Sequence, residues 1–189
     1  IVPMAGGISR MEYFRKSDDR LRPLVRNAYA LPVYFVHGNA DMTVPVLFDR
    51  RTRDQLKEFG YDFEYREVPK GGHMLDVREG KELMNAVDAW MKTKKRNVHP
   101  RALMHYFVGD YCPQAYWLRV TKFAETTAQV DAKIEGQTID FTSRGAAELA
   151  FYVDETLLDI SKPVKVTNGG KTLFEGKVEA SADVILETW

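Results

Sequence analysis

The stretch "LPVYFVHGNADMTVP" (residues 31–45) decides the fold. Its first half is a continuous apolar run rich in β-branched and aromatic residues. Such a run suits a strand covered on both faces, as in a parallel sheet, rather than the alternating pattern of a half-solvated strand. Its second half breaks into small and polar residues around an acid, Asp41. Downstream, "DFEYREVP" (62–69) alternates Phe63, Tyr65 and Glu67 with Glu64, Arg66 and Val68, which predicts a second strand nearer the sheet edge. That strand breaks into "KGGHML", a glycine loop that carries His73.

Between these strands, residues 46–59 place Leu47, Phe48, Thr52, Leu56 and Phe59 at helical spacing, with Gly60 following as a C-cap residue. Beyond them, residues 79–92 put Leu83, Met84, Val87, Trp90 and Met91 on one helical face. Upstream, "IVPM" (1–4) reads as a short strand, and residues 10–29 as mixed loop and helix. The order strand, helix, strand, helix predicts an α/β unit with a parallel sheet.

The texture changes at "KTKKRNVHP" (92–100), a basic, proline-ended run that reads as a solvated linker. Short alternating runs follow: "ALMHYFVG", "QAYWLRVTKF", "TAQVDAKIEGQTIDFT", "AAELAFYVD" and "KPVKVTNGGKTLFEGKVEA". "NGG" (168–170) and "EGQ" (135–137) are the expected hairpin turns, because glycine and asparagine tolerate the positive φ that such turns need. Five to seven short strands predict a small all-β sandwich. The expected division is an α/β part over residues 1–96 and a β-sandwich over 97–189.

Composition narrows the functional classes. The 189 residues hold 27 basic and 27 acidic side chains, for no net charge. Residues 1–100 carry 18 of the basic and 14 of the acidic ones, a balance of +4, which leaves −4 for the remainder. Neither part has the basic excess that a nucleic-acid backbone demands. No apolar stretch approaches the length of a membrane span, which is about 20 residues. A single cysteine excludes an internal disulfide framework, and Cys112 is expected to be a half-buried structural thiol. Nothing in the sequence indicates a compartment, although an extracytoplasmic one would follow if the whole protein carried a signal peptide.

In an open α/β sheet, functional side chains gather on the loops beyond the carboxyl ends of the strands. Asp41 follows one such strand and His73 the next, with one helix between. Parallel neighbours joined by one crossover helix deliver both loops to the same sheet edge. A carboxylate there can hold the imidazole Nδ1–H, fix its tautomer and stabilise the imidazolium formed during acyl transfer. The Gly71-Gly72 pair is expected to give the chain the freedom to turn the imidazole into the site. His37 reads as a structural strand-end histidine close to the same site. His99 and His105 have no carboxylate or cysteine at ligand spacing, so neither a metal site nor any cofactor is expected. Tyr111, Tyr116 and Trp117 form an aromatic cluster that suits sandwich core, or a face for a polymer or protein partner.

At Asp41 and His73 the sequence resembles the C-terminal part of the α/β-hydrolase fold, in the branch of the prolyl oligopeptidases (peptidase S9) and dienelactone-hydrolase-like enzymes. "VHGNADMTVP" resembles the branch's strand–HG–x–x–D–x–x–VP element, which carries the triad acid. "GGH" resembles its histidine loop. "LKEFGYDFEYREVP" resembles the segment between the two, and "IVPMAGG" the strand after the nucleophile helix. The likeness spans about residues 1–95. It implies a serine hydrolase acting on peptide or ester bonds, with Asp41 and His73 as acid and base. The family order of nucleophile, acid, histidine places the serine of a G-x-S-x-G elbow before Ile1. Ser9, in "GGISR", and Ser17 fit no such elbow, and Cys112 breaks the order. The chain alone would then be an inactive part of a hydrolase. The α/β part would also leave apolar surface open, to be covered by an N-terminal half or by another copy of the chain.

Overall fold

The computed structural model describes residues 1–6, 22–75 and 80–181. They form two compact units, 1–97 and 98–189. The first is an open α/β sheet and the second is all-β.

In the first unit, β1 (Val33–Gly38) and β2 (Phe63–Val68) pair in parallel, in unbroken register from Val33 opposite Phe63 to Gly38 opposite Val68. Residues 1–5 lie parallel on the other side of β1. Tyr34 N–H donates to Ile1 O, Val36 N–H to Pro3 O and Ala5 N–H to Val36 O, at 3.0, 3.0 and 2.9 Å. The central strand is β1, and every one of its residues is buried. Alternate side chains explain why. Tyr34 and Val36 pack with Val68, Leu75, Leu83 and Val87 on the face covered by α2 (Gly80–Thr93). Val33 and Phe35 pack with Val25 and Leu56 on the face covered by a 3-10 helix (Arg22–Ala28) and by α1 (Leu47–Glu58). Each large apolar side chain buried this way contributes about 1.5–3 kcal/mol, so the unbroken apolar run "VYFV" holds both layers.

Helix α1 ends as the sequence predicts. Gly60 takes φ +73°, its N–H donates to Lys57 O, and Tyr61 N–H donates to Leu56 O, which is the Schellman pattern. Two details of the helices differ from the expected faces. Leu47 is exposed, and its place in the interior goes to Asp49. In α2, Leu83, Val87 and Trp90 face the sheet, whereas Met84 and Met91 lie in solvent. The 79–92 pattern spanned a wider arc than the part of the helix that meets the sheet. From α1, Arg50 grips Glu67 of β2 through two hydrogen bonds of 2.7 Å, and Tyr65 Oη donates to the same carboxylate. The Arg50 guanidinium outweighs partial burial and holds the Glu67 carboxyl down at about 2.

The second unit holds eight strands among the described residues, more than the five to seven expected. The extra ones arise where one predicted run is broken in two. "QAYWLRVTKF" divides at Tyr116, which takes φ +54°, into β4 (Gln114–Ala115) and β5 (Leu118–Phe123). A five-stranded sheet runs in the order β10 (Lys171–Gly176), β9 (Val164–Asn168), β7 (Thr138–Arg144), β6 (Thr127–Glu135), β3 (Ala102–Val108). A three-stranded sheet runs β4, β5, β8 (Ala146–Phe151). Gly169 and Gly170 both take positive φ in the "NGG" hairpin, as does Gly136 in "EGQ". The stretch 92–100 is less of a free linker than its composition suggests. Its first two residues end α2, and buried Pro100 accepts a 2.6 Å hydrogen bond from Trp117 Nε1.

Candidate active site

β1 and β2 end level with one another, so the loops after Gly38 and Val68 leave the sheet side by side. Backbone bonds clasp them. Asn39 N–H donates to Val68 O (3.1 Å), Ala40 N–H to Gly71 O (3.0 Å), and Lys70 N–H to Asn39 Oδ1 (2.7 Å). Gly38 makes this approach possible, because a Cβ there would lie 2.2 Å from Gly71 O. The glycines of the histidine loop act differently from expectation. The left-handed residue of that loop is Lys70, at φ +60°, and neither Gly71 nor Gly72 takes a positive φ. The constraint is close contact between two backbones, with glycine needed at the contact rather than at a turn.

The clasp brings Asp41 and His73, 32 residues apart, to 2.8 Å between Oδ2 and Nδ1. The other carboxylate oxygen, Oδ1, accepts the N–H groups of Thr43 and Val44, each at 2.8 Å. These bonds make a tight turn that fixes the plane of the carboxylate. Burial pushes the Asp41 carboxyl toward the neutral form. The Val44 amide, the His73 ring and the Thr43 amide outweigh it and hold its pKa below the ordinary 3.8. The Asp41 side chain is fully buried, whereas that of His73 is 39% exposed. With Nδ1 directed at a carboxylate, Nε2 is the free ring nitrogen, and it has no partner among the described residues.

His37 is entirely buried behind the acid. Its Nδ1 meets Asp49 Oδ2 at 2.7 Å, its Nε2 meets Val44 O at 2.8 Å, and the same Nε2 lies 3.3 Å from Asp41 Oδ2. The sequence flags His37 but not Asp49, whose only signal is its position in the first turn of α1, beside the apolar stripe of Phe48, Thr52 and Leu56.

The remaining flagged residues lie elsewhere. Ser9 and Ser17 are outside the described residues, and they are the only serines of the first unit. Cys112 is exposed, not half-buried as expected, because it follows a 3-10 turn. Tyr111 is almost wholly exposed, whereas Trp117 is core. His105 is half-buried in β3 with its ring 4.5 Å from that of Phe107, and desolvation pushes its pKa down to about 4, which keeps it a neutral imidazole. His99 bonds Thr156 Oγ1 at 2.8 Å. Among the described residues no three His, Cys, Asp or Glu side chains converge to hold a metal ion. Among the described residues no helix is long and apolar enough to cross a membrane.

Comparison with protein-family models, with curated proteins and with solved structures finds no match to this chain.

Proposed function

We propose that the first unit carries the acid–base machinery of a serine hydrolase of the α/β-hydrolase fold, acting on peptide or ester bonds. The 2.8 Å bond between Asp41 Oδ2 and His73 Nδ1 carries this reading. Asp41, kept ionised by two backbone amides, fixes the tautomer that leaves Nε2 unprotonated and pointing away from the acid. In acyl transfer Nε2 takes the hydroxyl proton of the nucleophile as its oxygen bonds to the substrate carbonyl carbon. It then returns that proton to the leaving amine or alcohol as the scissile bond breaks. Water repeats the cycle to release the acyl group. Asp41 stabilises the imidazolium in each half without taking its proton.

By the family's chain order the attacking serine precedes Ile1. An apolar cavity of about 270 Å³ lies beside Ile1, Pro3, Val25, Phe35 and Leu56, on the face covered by the 3-10 helix and α1.

Labelling with a fluorophosphonate tests the reading, on the natural gene product and on the 189-residue chain. The expected result is one labelled serine in the gene product, lost in His73→Ala, and no labelling of the 189-residue chain. A folded gene product that fails to label, or labelling that survives His73→Ala unchanged, would overturn it.

A further inference from the structure

We propose that His37 is a positioning residue for this acid–base pair: a doubly protonated imidazole, clamped between Asp49 and the 41–44 turn, that fixes Asp41 from the protein interior. The proposal rests on the reading of Asp41 and His73 as a catalytic pair.

The argument starts from the partners of the ring. A neutral imidazole has one N–H and one lone pair. Here Nδ1 faces a carboxylate oxygen at 2.7 Å and Nε2 faces the Val44 carbonyl at 2.8 Å. A carbonyl only accepts, and so does an ionised carboxylate. Either neutral tautomer would therefore set a lone pair against an oxygen, inside a site with no exposed surface. The imidazolium satisfies both. Burial works against the charge, but the Asp49 hydrogen bond, the Val44 carbonyl and the charges of Asp49 and Asp41 outweigh it and raise the His37 pKa above the ordinary 6.5. Among the described residues, the other charged or titratable groups near this cluster are His73, which bonds Asp41, and Tyr65, which feels the charges of Glu67, Asp49 and Arg53.

Two consequences reach the active pair. The first is mechanical. Val44 donates its N–H to Asp41 Oδ1 and accepts Nε2–H of His37 through its carbonyl. His37 therefore holds the residue that holds the acid. The second is electrostatic. Asp41 and Asp49 are both buried, and a single ring separates them. Without a positive charge between them, one of two such carboxylates takes up a proton. A protonated Asp41 would no longer be a secure acceptor for His73 Nδ1–H, and the tautomer that leaves Nε2 basic would be lost. Sequence reading assigns His37 a structural role because its partner, Asp49, lies on the next helix.

Histidine ring ¹⁵N spectra of the 189-residue chain at pH 7 test the charge without any substitution. Both ring nitrogens of His37 should carry protons, and a proton-free nitrogen would overturn the proposal. The downfield resonance of the His73 Nδ1 proton then reports on the pair itself. Asp41→Asn should remove that resonance, and if it does not, the catalytic reading fails. Given that loss, His37→Gln and Asp49→Asn should each shift the resonance upfield and speed its exchange by about tenfold, the equivalent of one weakened hydrogen bond. If the resonance disappears in Asp41→Asn yet stays unchanged in the other two, the catalytic reading stands and the positioning role of His37 falls. Should His37→Gln and Asp49→Asn both fail to fold, the wild-type ring spectrum alone decides.

Discussion

Alanine at position 38 would place its Cβ 2.2 Å from the Gly71 carbonyl oxygen, 2.4 Å from the Gly71 carbonyl carbon and 2.7 Å from Gly72 O. All three are backbone atoms, so no side-chain rotation relieves the contact. Ordinary separations would require the histidine loop to withdraw by about 1 Å. Withdrawal stretches the Ala40–Gly71 bond (3.0 Å), the Lys70–Asn39 bond (2.7 Å) and the His73–Asp41 bond (2.8 Å). Overpacking costs about 1–3 kcal/mol and each hydrogen bond about 1 kcal/mol, and partial relaxation makes the two overlap, for a net of about 3 kcal/mol. Amide hydrogen exchange in β1 should then quicken about 150-fold, with the amides of β6 in the second unit as internal reference. The His73 Nδ1 proton resonance should vanish in the same sample. Gly6→Ala is the control, since a Cβ there meets nothing within 4 Å. Gly38→Ala with β1 exchange within about threefold of wild type, and the histidine resonance intact, would refute the claim that contact at Gly38 builds the site.

Four further outcomes follow from named contacts. Asp41→Asn in the natural gene product should slow fluorophosphonate labelling by about 10⁴-fold, because an amide can hold the wrong histidine tautomer; labelling at the wild-type rate would remove Asp41 from the mechanism. Glu67 is held at about 2 against an ordinary 4.5, so its contribution is present above pH 4.5 and lost as pH falls toward 2. With Arg50 partly in solvent that contribution is about 1 kcal/mol, and acid unfolding of Glu67→Gln should lack that part of the slope. The His37 pKa is raised, so its contribution is complete below pH 6.5 and declines as pH rises through the folded value; Asp49→Asn should flatten this alkaline decline in denaturant melts. Trp117→Phe leaves the buried Pro100 carbonyl without its 2.6 Å donor and should cost the second unit about 1–3 kcal/mol, while β1 exchange stays as in wild type.

What the sequence made legible here is what repeats with a period or a spacing. "VYFV" announced a strand buried on both faces because alternate side chains must enter two different layers, and the observed clusters divide in that way. Gly60 marked the end of α1 because only a left-handed residue completes the bond pattern there. Asp41 and His73 were legible because chain topology alone sends both to one sheet edge. Less legible was whatever depends on a partner distant in sequence. Cys112 was expected half-buried, but exposure is set by the turn that carries it. Met84 and Met91 looked like core because periodicity gives the direction of a helix face, not the width of the sheet beneath it. Gly71 and Gly72 drew attention as flexible residues, while the steric demand falls on Gly38, whose neighbour is 33 positions away.

In the proposed mechanism, the two histidines on Asp41 take two different roles from their surroundings. Both approach the same oxygen, Oδ2, with His73 at 2.8 Å and His37 at 3.3 Å. His37 spends both nitrogens on protein acceptors and reaches no solvent, so in the charged form it has no lone pair to offer a substrate. His73 spends only Nδ1 and keeps Nε2 at a surface that is 39% exposed, where a proton can arrive and depart. Exchanging the two environments would exchange the roles. A base needs one nitrogen anchored and one open, whereas a counter-charge needs both anchored and none open. Asp49 makes the difference, for it supplies a second acceptor that His73 lacks among the described residues. An acid unseen in the sequence pattern therefore decides which of two adjacent imidazoles is available for chemistry.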